Sequence, residues 1–160
     1  MQKLEVEFVY ETLSLEQKEE VIAMWLQAGV VSPQEALRRV EQVSCLILFG
    51  EKIVGVSTVY KDILSQEMGT YFFGRMFITQ AYRGSLEIRK KIMQLNFSQL
   101  KQSYATQANG LVLELENKKL AKLGEETAYM YKRGYTFYGK SARGLQLWYV
   151  RFATPKGIFL

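Results

Sequence analysis

The sequence predicts an α/β protein with a mixed central sheet flanked by helices, its elements following one another in the order βααβββαβαββ. Three observations lead there. Two helices with capping signals follow a first alternating strand, and a glycine turn then joins two apolar runs as a hairpin. After these, a long apolar strand passes through a tight turn into a long helix and a second buried strand, a unit that demands a parallel crossover.

Leu4, Val6, Phe8 and Tyr10 alternate with Glu5, Glu7, Val9 and Glu11, the period of an edge strand with one wet face. Ser14 and Gln17 form a capping box, and Leu15, Val21, Ile22, Trp25 and Leu26 then fall on one side of a helix that stops at Gly29. Ser32-Pro33-Gln34-Glu35 repeats the device with proline at the first helical position, opening a second helix that carries Leu37 and Val40. Val43 to Phe49 reads as a strand, Gly50-Glu51-Lys52 as its turn and Ile53 to Tyr60 as the returning strand.

The stretch Tyr71 to Gly84, YFFGRMFITQAYRG, is a nearly unbroken apolar run ending in Tyr-Arg-Gly. Behind it a helix runs from Ser85 to about Tyr104, with Ile88, Ile92, Leu95 or Met93, Phe97 and Leu100 as its inward stripe. Buried strand, tight turn and helix N-terminus in that order aim free backbone N–H groups at an anion such as a phosphate. Asn109-Gly110 breaks the helix, Leu111 to Glu116 forms a short buried strand, and Asn117 opens a helix that ends at Gly134. Tyr135 to Tyr138 and Leu145 to Phe152 pair as a closing hairpin. Residues 1–152 read as a single domain. Residues 153–160, ATPKGIFL, read as a C-terminal tail that docks Ile158, Phe159 and Leu160 on the core or on a second subunit of a homodimer.

Aliphatic and aromatic residues make up 48% of the chain and there are two prolines, which argues against disorder. The lone cysteine, Cys45, lies in an apolar run and reads as a packed core residue in a reducing compartment. The chain has no histidine, which removes the commonest general base and the commonest zinc ligand, so no metal is expected. Chemistry falls to carboxylates, tyrosines, lysines, arginines or the backbone. No segment reaches the roughly 20 apolar residues of a membrane span, and the N-terminus lacks the apolar core of a signal peptide. A cytoplasmic protein without a membrane partner is expected. The net charge of +5 is modest and no nucleic-acid motif is present, so no nucleic-acid partner is expected either.

Gly50 to Val56 (GEKIVGV), Phe77 to Gly84 (FITQAYRG) and Tyr129 to Tyr135 (YMYKRGY) occur in the order of, and resemble, three motifs of the GNAT acyltransferase superfamily. The resemblance spans roughly residues 4 to 152 and implies a GNAT-like sheet. It also implies an N-acyltransferase with acetyl-CoA as acyl donor, the amine of a small-molecule or peptide acceptor attacking the bound thioester directly in a ternary complex. In the family the fourth and fifth strands splay apart, and the pantetheine arm bonds to amides of the fourth, here those of Phe77 and Ile78. The pyrophosphate lies in the following turn, here Arg83, Gly84, Ser85 and Leu86. That loop is degenerate, because Leu86 and Ile88 stand where the family carries its later glycines, and Glu87 adds a carboxylate. Arg89, Lys90 and Lys91 keep the local field positive. Asn117 matches a family asparagine near the cofactor and equally suits a helix N-cap. Strict register from Gly134 puts Met130 at the position of the acid that protonates the departing thiolate; Tyr131 fits if one residue is missing, and Tyr129 is the other tyrosine at hand. Glu114 and Glu116 share one strand face and either remove the proton of the amine or form an ion pair, with Arg75 on the apolar strand as the cation that orients an acidic acceptor. Two other readings remain at this stage: a GNAT-like binding or regulatory module without catalysis, and an acyltransferase whose donor is an acyl carrier protein.

Overall fold

The Ser14 capping box forms as the sequence predicts. The Ser14 hydroxyl accepts the Gln17 N–H at 3.1 Å and the Gln17 side chain accepts the Ser14 N–H at 3.0 Å, opening helix α1 (Leu15–Ala28). The computed structural model describes residues 2–115 and 129–153. Strand β1 (Leu4–Phe8) precedes α1; helix α2 (Pro33–Arg39) follows, its N-terminus capped by the Ser32 hydroxyl on the Glu35 N–H. The rest are β2 (Val43–Phe49), β3 (Lys52–Ser65), β4 (Gly69–Ile78), α3 (Leu86–Tyr104), β5 (Gly110–Leu115), α4 (Tyr129–Lys132), β6 (Thr136–Lys140) and β7 (Gln146–Arg151). Hydrogen-bonded neighbours run β1-β2-β3-β4-β5-β7-β6 in a seven-stranded mixed sheet with β1 at one edge. The element order is the one predicted. Among the described residues no helix is long and apolar enough to cross a membrane.

The chain divides into two compact units, Met1–Val59 with Arg75–Asn96, and Tyr60–Gly74 with Phe97–Leu160. In the first unit both sheet faces are covered. Val21, Trp25, Ala36 and Val40 pack with Val43, Leu46, Ile53 and Val56 on one face; Ile88 and Ile92 of α3 pack with Cys45, Ile47, Val54 and Ile78 on the other. Leu4, Val6 and Phe8 join the α3 side, so the wet face of β1 is the one that carries Glu5 and Glu7, as its alternation predicts. In the second unit β4 and β5 pair in parallel from Phe72↔Leu111 to Gly74↔Leu113, while β5 pairs antiparallel with β7 from Gly110↔Arg151 to Leu115↔Gln146. Tyr71, Val112 and Leu147 form a small core there with Leu64, Met68, Phe73 and Tyr149 around it.

Four expectations are corrected. Strands β3 and β4 are longer than predicted, β3 continuing to Ser65 and β4 beginning at Gly69; Lys61, Asp62 and Ile63 of the extension are all exposed, so no inward-outward alternation marks it. Leu15, Leu26 and Leu37 are exposed; the buried residue of α2 is Ala36, and Val40, which caps the helix, is buried as predicted. Helix α3 ends at Tyr104 as predicted, but β5 already opens at Gly110, the residue assigned to the break. The bounds of the last hairpin shift by one or two residues at each end. Glu116, Asn117, most of the helix predicted to follow, the side chain of Tyr129 and residues 154–160 of the tail lie outside the described residues.

Cys45 is fully buried, as expected. Its thiol donates to Asn96 Oδ1 at 3.5 Å, Asn96 Nδ2 donates to Ser57 Oγ at 3.3 Å, and the Ser57 and Ser44 hydroxyls lie 2.6 Å apart, so the buried polar groups satisfy one another. Burial pushes the thiol from its ordinary value near 9 up to about 11, against the opposing pull of the Ser57 and Ser44 hydroxyls. The fold therefore disfavours the thiolate. Below the ordinary value the thiol is neutral whether folded or not and stability is unaffected; as pH rises from about 9 towards about 11 the unfolded chain ionises first, and stability falls by roughly 2–3 kcal/mol. Urea unfolding across that range checks this, with Cys45→Ala expected to remove the thiol's share of the fall and to leave the share of the buried Tyr135 hydroxyl, which burial also pushes up.

Candidate active site

The backbone of β4 is oriented by one bond. The Thr79 N–H donates to the Val54 carbonyl at 2.9 Å, so by strand alternation Phe77 also turns its N–H and C=O towards β3, and its carbonyl lies close beside Gly55. Met76 and Ile78 turn theirs the other way. Of the two strand residues expected to offer amides to a pantetheine arm, Ile78 thus presents its N–H away from β3, and Phe77 contributes a ring packed on the α1 side of the sheet.

A single 3-10 turn, Gln80–Tyr82, follows β4, and the Tyr82 ring anchors it against Phe49 with centroids 5.2 Å apart. Arg83 bends back: its Nε donates to the Ile78 carbonyl at 2.7 Å and its guanidinium lies 5.7 Å from the Phe77 ring centroid. Arg83 ties the end of β4 to the turn, using the carbonyl that Ile78 turns away from β3. Gly84 then takes φ +104°, a conformation open to glycine and costly for other residues. The Ser85 hydroxyl accepts the Ile88 N–H at 3.2 Å and the Ser85 carbonyl accepts the Arg89 N–H at 3.4 Å, which starts α3. Among the described residues the N–H groups of Gly84, Ser85, Leu86 and Glu87 meet no acceptor, as the geometry of a helix start dictates.

The two aliphatic residues that replace glycines go in different directions. Ile88 is 8% exposed and belongs to the core with Ile78 and Ile92, whereas Leu86 is 52% exposed. Ile88 therefore packs under the helix, and Leu86 stands out in solvent at its first residue. Arg89 and Lys90 are half-buried, and Glu87 and Lys91 are exposed.

In the second unit Glu114 sits on β5 opposite Leu147 of β7, its side chain 8% exposed. Its Oε1 accepts from the Ser141 hydroxyl at 3.3 Å and lies 3.8 Å from Arg143 Nη1. Ser141 also accepts the Arg143 and Leu145 N–H groups at 3.2 and 3.3 Å, which fixes the β6–β7 loop around it. These two partners were missed from sequence. A serine two residues before the N–H it accepts is a local turn signal, but its reach across to β5 depends on the hairpin register. On α4, Met130 is buried, and its thioether has no proton to donate; Tyr131 is 55% exposed and meets the Trp148 ring edge-on at 5.1 Å. Trp148 takes the ring of Phe137 at 5.3 Å as well.

At the level of sequence no family model matches the chain and no characterised protein is detectably similar to it. Solved structures are similar in three dimensions. An acetyltransferase of the GNAT family from Streptococcus pneumoniae superposes with a TM-score of 0.63 at 12% identity, over 93% of this chain and 99% of that one. A mutant agmatine N-acetyltransferase in its apo form gives 0.63 at 8% identity, over 93% and 100%. The NatC complex bound to Gag peptide and CoA contains a chain that gives 0.60 at 12% identity, over 92% and 96%. At such identities the likeness speaks for architecture alone, and by it this chain has the fold of the GNAT acetyltransferases.

Proposed function

We propose that the protein is an N-acyltransferase that takes its acyl group from a phosphopantetheine thioester, acetyl-CoA being the simplest donor. The observation that carries the reading is the turn after β4: a glycine at positive φ, then unclaimed N–H groups at the start of α3, with Ile88 packed into the core and Leu86 turned outward. The Ile78 N–H is the strand donor for the arm or for the thioester carbonyl. Glu114 is the base for the acceptor amine, and Tyr131, with its hydroxyl on an exposed aromatic ring, protonates the departing sulfur. Glu116 and Asn117 keep the roles expected of them from sequence.

Calorimetric titration with acetyl-CoA and with free CoA tests the donor, and thiol release across a panel of amines tests turnover. Binding of both with amine-dependent thiol release supports the transferase; binding without release for any amine favours a module that has lost catalysis. Tyr131→Phe is expected to lower kcat roughly a hundredfold with acetyl-CoA affinity unchanged, since it removes a proton and leaves the ring on Trp148. An unchanged kcat would remove Tyr131 from the mechanism.

A further inference from the structure

Residues 1–59 carry five basic and nine acidic side chains, and residues 60–160 carry sixteen and seven. The whole positive excess of the chain therefore lies after residue 59; at the start of α3 it includes Arg83, Arg89, Lys90 and Lys91, which stand against Glu87 alone. Leu86, Arg89 and Lys90 are spaced i, i+3, i+4 and share one helix face. A half-exposed leucine among cations has the make-up of a protein contact, with an apolar centre and a charged rim. The anion recess beside it is sparing. Gly84 is its one glycine, and Glu87 places a carboxylate in the first turn, where it competes for the helix dipole with any further anionic group. A pyrophosphate must bring two phosphates close to this backbone, and a phosphodiester brings one.

We infer that the preferred donor holds its phosphopantetheine arm through a single phosphodiester on an acidic carrier protein, seated on Leu86, Arg89, Lys90 and Lys91. This rests on the acyltransferase reading above and names its donor. In the reaction the acceptor nitrogen forms a C–N bond to the thioester carbonyl and the C–S bond breaks. The proton of the amine passes to the base, the sulfur takes up a proton, and the carrier leaves with a free thiol.

The test is calorimetry at low salt with three probes: an acidic carrier domain bearing the phosphopantetheine arm, the same domain without the arm, and acetyl-CoA. The armed carrier is expected to bind at least about tenfold more tightly than acetyl-CoA, and high salt to erase most of that advantage. The double variant Arg89→Glu, Lys90→Glu should weaken the carrier about tenfold or more while shifting acetyl-CoA far less, with Lys91→Glu as a milder reversal if the double variant fails to fold. Acetyl-CoA binding as well as or better than the armed carrier overturns the inference and leaves the transferase reading standing. A folded variant that loses both ligands alike also overturns it. Binding of neither ligand to the unaltered protein overturns both.

Discussion

Replacing Gly84 by valine is expected to weaken acetyl-CoA binding at least about tenfold while the melting temperature changes little, because backbone strain at one residue of roughly 1–3 kcal/mol compares with 1.4 kcal/mol per tenfold in affinity. The cost is conformational and not steric. A Cβ added at Gly84 meets nothing within 4 Å, but a β-branched residue at φ +104° is a backbone outlier. The turn escapes the strain by rotating residue 84 back to negative φ, which swings the N–H groups of residues 84 and 85 away from those of Leu86 and Glu87. Helix α3 stays in place because Ile88 and Ile92 hold it on the sheet. Calorimetry paired with a thermal melt separates the two effects. Full affinity in Gly84→Val would mean that the turn does not contact the ligand.

The largest stability effect is expected at Gly110. A Cβ there would come within 2.9 Å of Arg151 Cα and the Val150 carbonyl carbon, and nearer still to the Val150 carbonyl oxygen, all of them backbone atoms of β7. Backbone atoms in a ladder cannot rotate aside as a side chain does. With Gly110 paired to Arg151, alanine must force β5 and β7 apart at that end and weaken the neighbouring bond from the Phe152 N–H to the Asn109 carbonyl. A loss of about 3 kcal/mol is expected, at the upper end of overpacking costs. For a chain of this size that lowers Tm by roughly 6–12 °C. Differential scanning calorimetry of Gly110→Ala measures it; a shift of a degree or two would contradict the close approach of the strands.

Architecture was readable wherever a local chemical signal stood at an element boundary. Ser14 with Gln17, Ser32 with Pro33, and Gly50 after an apolar run each name a cap or a turn in residues adjacent in sequence, and each is found in the structure. Where the signal was the inward face of a helix, the reading faltered in part: Val40 turns inward as read, but Leu37 is as apolar as any core residue and only the sheet beneath decides that Ala36 takes its place. The turn after β4 was legible to the same extent. Gly84 followed by a serine at a helix start fixes the turn locally, and that part held. The direction of Arg83 was not legible, because the carbonyl it bonds belongs to Ile78, whose orientation follows from the pairing of Thr79 with Val54 on another strand. The partners of Glu114 lay beyond reach for the same reason, since Ser141 and Arg143 come to it through a hairpin register that no residue type announces.

The central claim is that the backbone amides following Gly84 receive the anionic part of an acyl donor. Backbone amide chemical shifts of the 15N-labelled protein titrated with acetyl-CoA test it most directly. The account predicts that the largest and saturable shifts fall on Gly84, Ser85, Leu86 and Glu87, with Ile78 next and Phe77 little moved. Shifts confined to other parts of the chain, or none at ligand concentrations that saturate typical acyl-CoA enzymes, would contradict it.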